Sequence, residues 1–492
     1  MPSEEELFAQ RIEKREQLLT RGDPYPARLE RTHDAEAAVA LFDAAEADGE
    51  EEAGPVSVVG RLTAQRVMGK MAFLDLTDGS GRIQLHLQRD VLGEAFEQLP
   101  LADLGDFISA SGVLFRTRTG EVTVRVSEWQ IVTKALRPMP EKWHGITDTE
   151  TRYRQRYLDL MSNERSRELA RISSKVVSSV RRFFEDRDFM EVATPVLQVE
   201  AGGAAARPFV THHNALSRDL SLRIALELHL KRLLVGGFEK VFEIGRVFRN
   251  EGISTRHNPE FLMLESYEAY ADYEDVARMV EELYRHIAQT VVGTLHVEHG
   301  DHTIDLESPF ARTTFREALI EHGGIDYTQY RELASLRQVA SEHNVSFEDD
   351  ASWNSLLDRC WSVLVEPHLV QPTFVFDYPV EISPLAKRKT DDPEVVERFE
   401  LFALGYEMAN AYSELNDPVD QRARMEQQVA IAAGGDDEAE LMDEEFLLAL
   451  EHGMPPAGGL GFGLERMIML LTGEQSIREV ILFPAMRDRQ GD

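Results

Sequence analysis

From Glu4 to about Leu19 the pattern is helical and charged, and it stops at Arg21-Gly22-Asp23-Pro24-Tyr25-Pro26, where two prolines and a glycine break it. A second acidic helix is predicted from Asp34 to Ala47, and the run Asp48 to Pro55 reads as a linker that closes an N-terminal extension, residues 1–54. The period then changes to that of strands. Val56 to Leu62, Ala72 to Leu76, Arg82 to Gln88, Phe107 to Phe115 and Glu121 to Val132 are rich in β-branched and aromatic residues, with glycine-bearing turns at Asp78-Gly79-Ser80-Gly81 and Thr119-Gly120. One short helical stretch, Val91 to Gln98, separates the third strand from the fourth. Five strands in this order predict an oligonucleotide-binding (OB) barrel over residues 55–135.

After a linker at 136–150, residues 151–492 mix long amphipathic helices (Arg167 to Arg187, Tyr273 to Thr290) with hairpin-like strand pairs and contain no internal repeat. That mixture predicts an α+β domain on an antiparallel sheet rather than alternating βαβ units. Neither G-x-G-x-x-G after a strand nor G-x-x-x-x-G-K-[ST] occurs there, which argues against a Rossmann or P-loop nucleotide site.

Composition changes the picture in two ways. The 492 residues carry 53 basic and 87 acidic side chains, a net charge of −34, which taken alone argues against a partner as anionic as nucleic acid. The barrel segment Pro55 to Ala135, however, holds nine basic and nine acidic residues, so the acid excess lies outside it. Only nine of the basic residues are lysines, a bias that fits adaptation to high salt or an arginine-rich coding bias. Cys360 is the one cysteine, which excludes an internal disulfide and a thiolate zinc site. The N-terminus lacks the basic and apolar regions of a signal peptide and no stretch approaches about 20 uninterrupted apolar residues, so the expectation is a cytoplasmic protein without membrane contact.

Two segments carry the candidate chemistry. In Val241 to Glu268 two strands flank a loop holding Arg249, Glu251, Arg256, His257 and Asn258, a density of polar groups that a core hairpin would not accept without partners. Arg249 offers a planar fork that can bind phosphate or carboxylate in bidentate fashion, and Phe261 an aromatic platform for a base. In Gly458-Gly459-Leu460-Gly461-Phe462-Gly463, glycines at alternate positions keep one strand face free of side chains. Arg466 follows in the first turn of a helix, where a basic residue opposes the dipole and an anionic ligand is the better explanation.

Read with Phe183 to Pro195 upstream, these segments closely resemble motifs 2, 3 and 1 of the class II aminoacyl-tRNA synthetases. The run Arg249 to Phe261, Glu381-Ile382-Ser383-Pro384-Leu385-Ala386 and Ser413-Glu414-Leu415-Asn416-Asp417 resemble the bacterial lysyl-tRNA synthetases of subclass IIb, over nearly the whole chain. The resemblance implies activation of L-lysine by ATP to lysyl-adenylate, then transfer to the 3′ end of tRNA(Lys). It implies that Arg249 holds the α-phosphate and the lysine carboxylate and Arg466 the distal phosphates, and that Glu251, His257 and Asn258 line the motif 2 loop while Phe261 stacks on adenine. Glu400 and Glu407, either side of Gly405, match the family's carboxylates for Mg2+, of which several ions per site are expected; Glu400 also belongs to the ATP site.

The same subclass charges aspartate and asparagine, so the pocket must discriminate. Glu265 and Tyr267 lie two residues apart on one strand face, Glu414 comes from another segment, and two carboxylates with a phenol suit an ammonium group. By resemblance, Glu227 and the backbone at Gly203 contact the α-amino group, and Asn410 and Tyr412 complete the wall. Leu226, His229 and Ser266 depart from the family's pattern without removing a charged contact. In the barrel, Phe73 and Gln84 match positions that hold anticodon bases, with Arg66 near the backbone; from the residues alone Phe73 reads as barrel core. Motif 1 implies a homodimer. Two competing readings are a non-catalytic OB-fold nucleic-acid binder with a synthetase-like domain, and a lysine ligase that modifies a protein; the latter would have no need of an anticodon barrel.

Overall fold

The computed structural model describes residues 3–140, 146–200, 202–204, 206–348, 351–433 and 442–488. The chain forms two compact units, Met1–Thr147 and Asp148–Asp492. Residues 141–145 of the expected 136–150 linker lie outside the described residues.

In the first unit, α1 (Glu4–Leu19) starts with a capping box in which Ser3 and Glu6 satisfy each other's backbone donors, and α2 (Ala35–Ala47) is capped by Asp34. Five strands, β1 (Glu52–Met68), β2 (Met71–Thr77), β3 (Arg82–Gln88), β4 (Phe107–Arg116) and β5 (Val122–Thr133), close into a barrel in the order β1-β2-β3-β5-β4. The predicted helix between β3 and β4 is a short helical turn, Arg89–Leu92, running into a 3-10 stretch, Gly93–Leu101. Two features of the N-terminal reading change. The run ending at Pro55 is not all linker, because Glu52 and Ala53 already pair with Phe115 and Leu114 in β4. Nor do the N-terminal helices stand apart from the barrel: Leu18, Ala35, Ala38 and Phe42 are buried in one apolar cluster with Val56, Leu74 and Ile108 of the strands. The helix read as acidic is mostly apolar, with only Glu36, Asp43 and Glu46 charged, and α2 buries Ala35, Ala38 and Phe42 against the barrel.

The second unit is built on an eight-stranded sheet with the order Ala311–Thr314, Thr373–Pro379, Val395–Ala403, Tyr406–Ser413, Ala457–Gly463, Glu260–Ala269, Lys240–Phe248 and Met190–Glu191. Only the two outermost pairings are parallel, so the sheet is antiparallel throughout its centre. The Ala457–Gly463 strand, which follows every other strand of this sheet in the chain, inserts between two of them. One face carries the main core, where Phe242, Leu264, Phe399, Ala411 and Leu460 meet the helices Glu164–Glu185, Tyr273–Ile287 and Leu464–Thr472. The first of these begins three residues before its predicted start because Asn163 caps it, its side chain accepting from the N–H of Arg165. The opposite face is left for the site.

Candidate active site

Strand alternation places the site. Neighbouring residues across four strands form two rows on the open face: Arg398, Tyr412, Gly459 and Tyr267 in one, and Glu400, Asn410, Gly461 and Glu265 in the next. Each row crosses the glycine strand where no side chain stands, and the trough between becomes a cavity of about 630 Å3, a size suited to a nucleotide with a small co-substrate. Gly203, Glu227, Arg249, Glu251, His257, Asn258, Phe261, Glu265, Tyr267, Glu407, Asn410, Tyr412 and Arg466 all line it. Glu400 and Glu414 do not. Gly459 explains the second case: a Cβ there would stand 1.8 Å from Glu414 Oε1 and 2.6 Å from Tyr267 Cε1, so the space of the absent side chain is taken by the Glu414 carboxylate. Glycine is required at 459 by close approach, not by backbone angle.

At one end of the cavity the groups are anionic. Glu265 is buried and accepts from the N–H of Leu226 (2.8 Å) and the hydroxyl of Tyr267 (3.0 Å). Burial, and next the charge of Glu227, push its carboxyl up to about 8. Glu227 Oε1 accepts from the Tyr412 hydroxyl at 2.6 Å and from Lys231 Nζ at 2.5 Å. Glu414 is fully buried; its Oε2 lies 2.5 Å from Lys231 Nζ and its Oε1 has no hydrogen-bond partner among the described residues. Lys231 was not singled out in the sequence, where it reads as one more polar residue on an amphipathic helix.

The other end is cationic. Arg249 reaches over the Phe261 ring, 5.3 Å from its centroid, and its Nε makes one long bond to Ile224 O at 3.4 Å. Arg466 Nη1 donates to Glu407 O at 2.7 Å and lies 3.4 Å from Glu407 Oε2, while its Nη2 is 3.5 Å from His257 Nε2. Burial first, and then the charge of Arg466, hold the His257 imidazole below its ordinary value. The helix that presents Arg466 is held to the motif 2 strand by Glu465, whose two oxygens accept from the Leu262 N–H at 3.0 Å. Glu465 also escaped the sequence reading. Asn258 lines the cavity but spends its amide on the backbone, Nδ2 donating to Glu260 O (2.6 Å) and Oδ1 accepting from Ala485 N (3.1 Å), so it anchors the loop.

Glu400 sits behind the rim, its Oε1 2.5 Å from Arg398 Nη2 and its Oε2 accepting from the Tyr378 hydroxyl at 2.9 Å. Burial pushes it up to about 7, with Glu407 and Asp358 adding to the rise against the opposing charge of Arg398. Asp358 and Glu366, neither predicted, are likewise raised by burial and by the charge of Glu407. The charge of Glu407 thus reaches Glu400, Asp358 and Glu366, which gathers negative charge behind the rim. Among the described residues no three acidic, His or Cys side chains form a closed cage, so hard oxygens from elsewhere would have to complete any coordination shell.

On the barrel, alternation settles Phe73: Ala72, Leu74 and Leu76 enter the core, and Phe73 is half-buried on the outer face, stacked on His86 at 4.7 Å and 11°. The core reading of Phe73 is therefore corrected. Phe115 continues the aromatic row beyond His86, with Arg125 over its ring. Arg66 lies 3.2 Å from Asp75, and Gln84 is buried, its Oε1 accepting from Thr123 at 3.1 Å. His86 and Asp75 were not anticipated.

An antiparallel sheet with this paired-row trough, an arginine on the motif 2 hairpin and another opening the helix after the glycine strand defines a class II synthetase site. Residues 148–487 match the family of tRNA synthetases class II (D, K and N), and residues 56–132 match the OB-fold nucleic acid binding domain. The chain belongs to the class II tRNA synthetases. It is similar to proteins named lysine–tRNA ligase: that of Pelotomaculum thermopropionicum, 50% identical over 489 residues (99% of this chain, 96% of the relative), that of Halalkalibacterium halodurans, 48% over 487 residues (98% and 97%), and that of Bacillus subtilis, 48% over 482 residues (97% of each).

Proposed function

We propose that this chain is a lysine–tRNA ligase that activates L-lysine with ATP and transfers it to tRNA(Lys). The observation that carries the reading is the cavity whose one end gathers Glu227, Glu265 and Tyr267 for ammonium groups while the other presents Arg249 and Arg466 for phosphates. An aspartate pocket would need a cation where these carboxylates stand. The barrel, with its outward aromatic row, favours a tRNA substrate over a protein one, and the complete set of charged cavity residues favours an enzyme over a non-catalytic binder.

In the first step an oxygen of the lysine carboxylate bonds to the α-phosphorus of ATP, the bond from that phosphorus to the bridging β-oxygen breaks, and pyrophosphate leaves. In the second, the 3′-hydroxyl of the terminal adenosine attacks the acyl carbon, and AMP departs. The protein's contribution is to position reactants and neutralise charge. Arg249 spans the α-phosphate and the lysine carboxylate, Arg466 holds the distal phosphates, and Phe261 supplies the ring face for adenine. Glu251 and His257 line the motif 2 loop beside them, with His257 neutral near pH 7 because of its burial and Arg466. Gly203 and Glu227 take the α-amino group, Glu265, Tyr267 and Glu414 the side-chain ammonium, and Asn410 and Tyr412 the remaining wall. Glu400 and Glu407 would hold Mg2+ together with phosphate oxygens and water, and the ion would offset phosphate charge.

The raised carboxyl of Glu265 makes lysine binding depend on pH. Below about 8 the group tends to carry a proton and offers the ammonium no counter-charge; above it the carboxylate pairs with it. The KM for lysine in ATP–pyrophosphate exchange should therefore fall as pH rises from about 6 to 8, with the KM for ATP as control and Glu265→Gln flattening the profile. A wild-type lysine KM that is level across this range removes Glu265 from the ammonium site.

Anticodon bases are assigned to Phe73 and Gln84, with Arg66 toward the backbone. Phe73→Ala should weaken tRNA charging by roughly 1–3 kcal/mol while tRNA-independent exchange is retained. Equal losses in the two assays would point to misfolding. A second copy of the chain is the proposed partner along the motif 1 segment, just beyond which Val196, Leu197, Val199 and Val210 are exposed. A cytoplasmic setting accords with the single, buried cysteine, and no helix among the described residues is long and apolar enough to cross a membrane.

A further inference from the structure

Behind the anionic end of the cavity lies a cation that belongs to the protein. Lys231 is fully buried on the helix Glu227–Val235, one turn after Glu227, and its Nζ is 2.5 Å from both Glu227 Oε1 and Glu414 Oε2. The rings of Tyr412 and Phe446 stand 5.4 and 5.8 Å from the ammonium. Burial opposes the charge, but Glu227 and Glu414 outweigh it and hold the ammonium above the usual lysine range. The chain uses lysine at only nine positions against a large excess of arginine, and here a compact ammonium fits between two carboxylates where a planar guanidinium would not.

The charges then balance. Above about pH 8, where Glu265 is ionised, and with Glu414 ionised in its pair with Lys231, the carboxylates of Glu227, Glu265 and Glu414 against Lys231 and Arg249 leave one net negative charge at the amino-acid end of the site. Free lysine, with two ammonium groups and one carboxylate, carries one net positive charge. A buried site pays heavily for uncompensated charge, so the count itself is a selection rule. We propose that Lys231 is a positioning residue that sets the charge of the lysine pocket, holding Glu227 and Glu414 in place and matching the pocket to a singly charged amino acid in preference to a doubly charged diamine.

This inference rests on the lysine-activating function proposed above, and the experiment separates the two. ATP–pyrophosphate exchange is measured at about pH 8.5, where Glu265 is ionised, for the full-length wild type and Lys231→Met, with cadaverine (1,5-diaminopentane) as competitor and thermal melting as a check of folding. In Lys231→Met the lysine KM should rise at least about fivefold with the ATP KM within about twofold, and the ratio of cadaverine Ki to lysine KM should fall by about tenfold or more. A purely structural lysine would not move that ratio. Where Lys231→Met does not fold, Lys231→Gln is measured in the same way; failure of both to fold assigns Lys231 to structure and overturns the proposal. Wild-type exchange with an unchanged ratio in the variant overturns the inference alone. Absence of lysine-dependent exchange in the wild type overturns the functional reading and this inference with it.

Discussion

Arg249→Ala is expected to lower kcat/KM for lysine-dependent ATP–pyrophosphate exchange by about a thousandfold, ~4 kcal/mol. The side chain is deep in the cavity, and its single hydrogen bond among the described residues is the 3.4 Å contact to Ile224 O, so most of its five donors remain for ligands. It stands between the two co-substrates in the proposed arrangement, and its loss removes charge where negative charge accumulates in the transition state. Lysine at 249 should recover little, because a point charge cannot bridge carboxylate and phosphate in the plane of a fork. The fold should survive, since among the described residues the guanidinium makes no ion pair that the structure would miss. Exchange within tenfold of wild type, in a protein with unaltered melting, would move Arg249 away from the reacting phosphate.

The second large effect is expected at Glu414. Glu414→Gln should cost about 2 kcal/mol or more in kcat/KM for lysine-dependent exchange, carried mainly by KM for lysine. Glutamine keeps the shape that fills the space above Gly459, so packing is nearly preserved, but the charge that faces Lys231 and the substrate ammonium is gone. The carboxylate is fully buried behind the cavity wall, and among the described residues one of its oxygens has no hydrogen-bond partner, so the loss of its charge reaches the pocket through Lys231 and Glu227. Unchanged exchange would remove Glu414 from the pocket.

How much of this was legible in the sequence depended on whether a residue's role is local. The motif 2 hairpin could be read because its polar loop contradicts its apolar strands, and the glycine strand because alternate glycines leave a bare face; both signals lie within one segment. By residue type alone Phe73 reads as core, because an aromatic residue in a strand usually is, whereas the resemblance matches it to an anticodon position; the register of Ala72 and Leu74 turns it outward. Residues that act across elements left no local mark. Lys231 looks like a solvated position on its helix until Glu414, from a segment far along the chain, closes over it. Arg398 reaches the rim through sheet order and Asp358 through the placement of its helix, Trp353–Leu364, while Glu465 gains its meaning from the backbone of Leu262. The acidic runs around Asp48 concealed a strand start, since pairing of Glu52 and Ala53 with β4 owes nothing to their own propensity.

The position of the Ala457–Gly463 strand has a consequence for how the enzyme comes into being. It follows every other strand of this sheet in the chain, yet it occupies the middle of the sheet, between Tyr406–Ser413 and Glu260–Ala269. Until it leaves the ribosome, the nascent chain holds two half-sheets, each with an open edge and neither with a complete trough. At roughly 5–20 residues per second that interval lasts on the order of ten seconds, long enough for open edges to pair with the wrong neighbour. The strand that creates the site by its lack of side chains is thus also the keystone of assembly, and the nascent polypeptide can have no complete trough until residues 457–463 have joined the sheet.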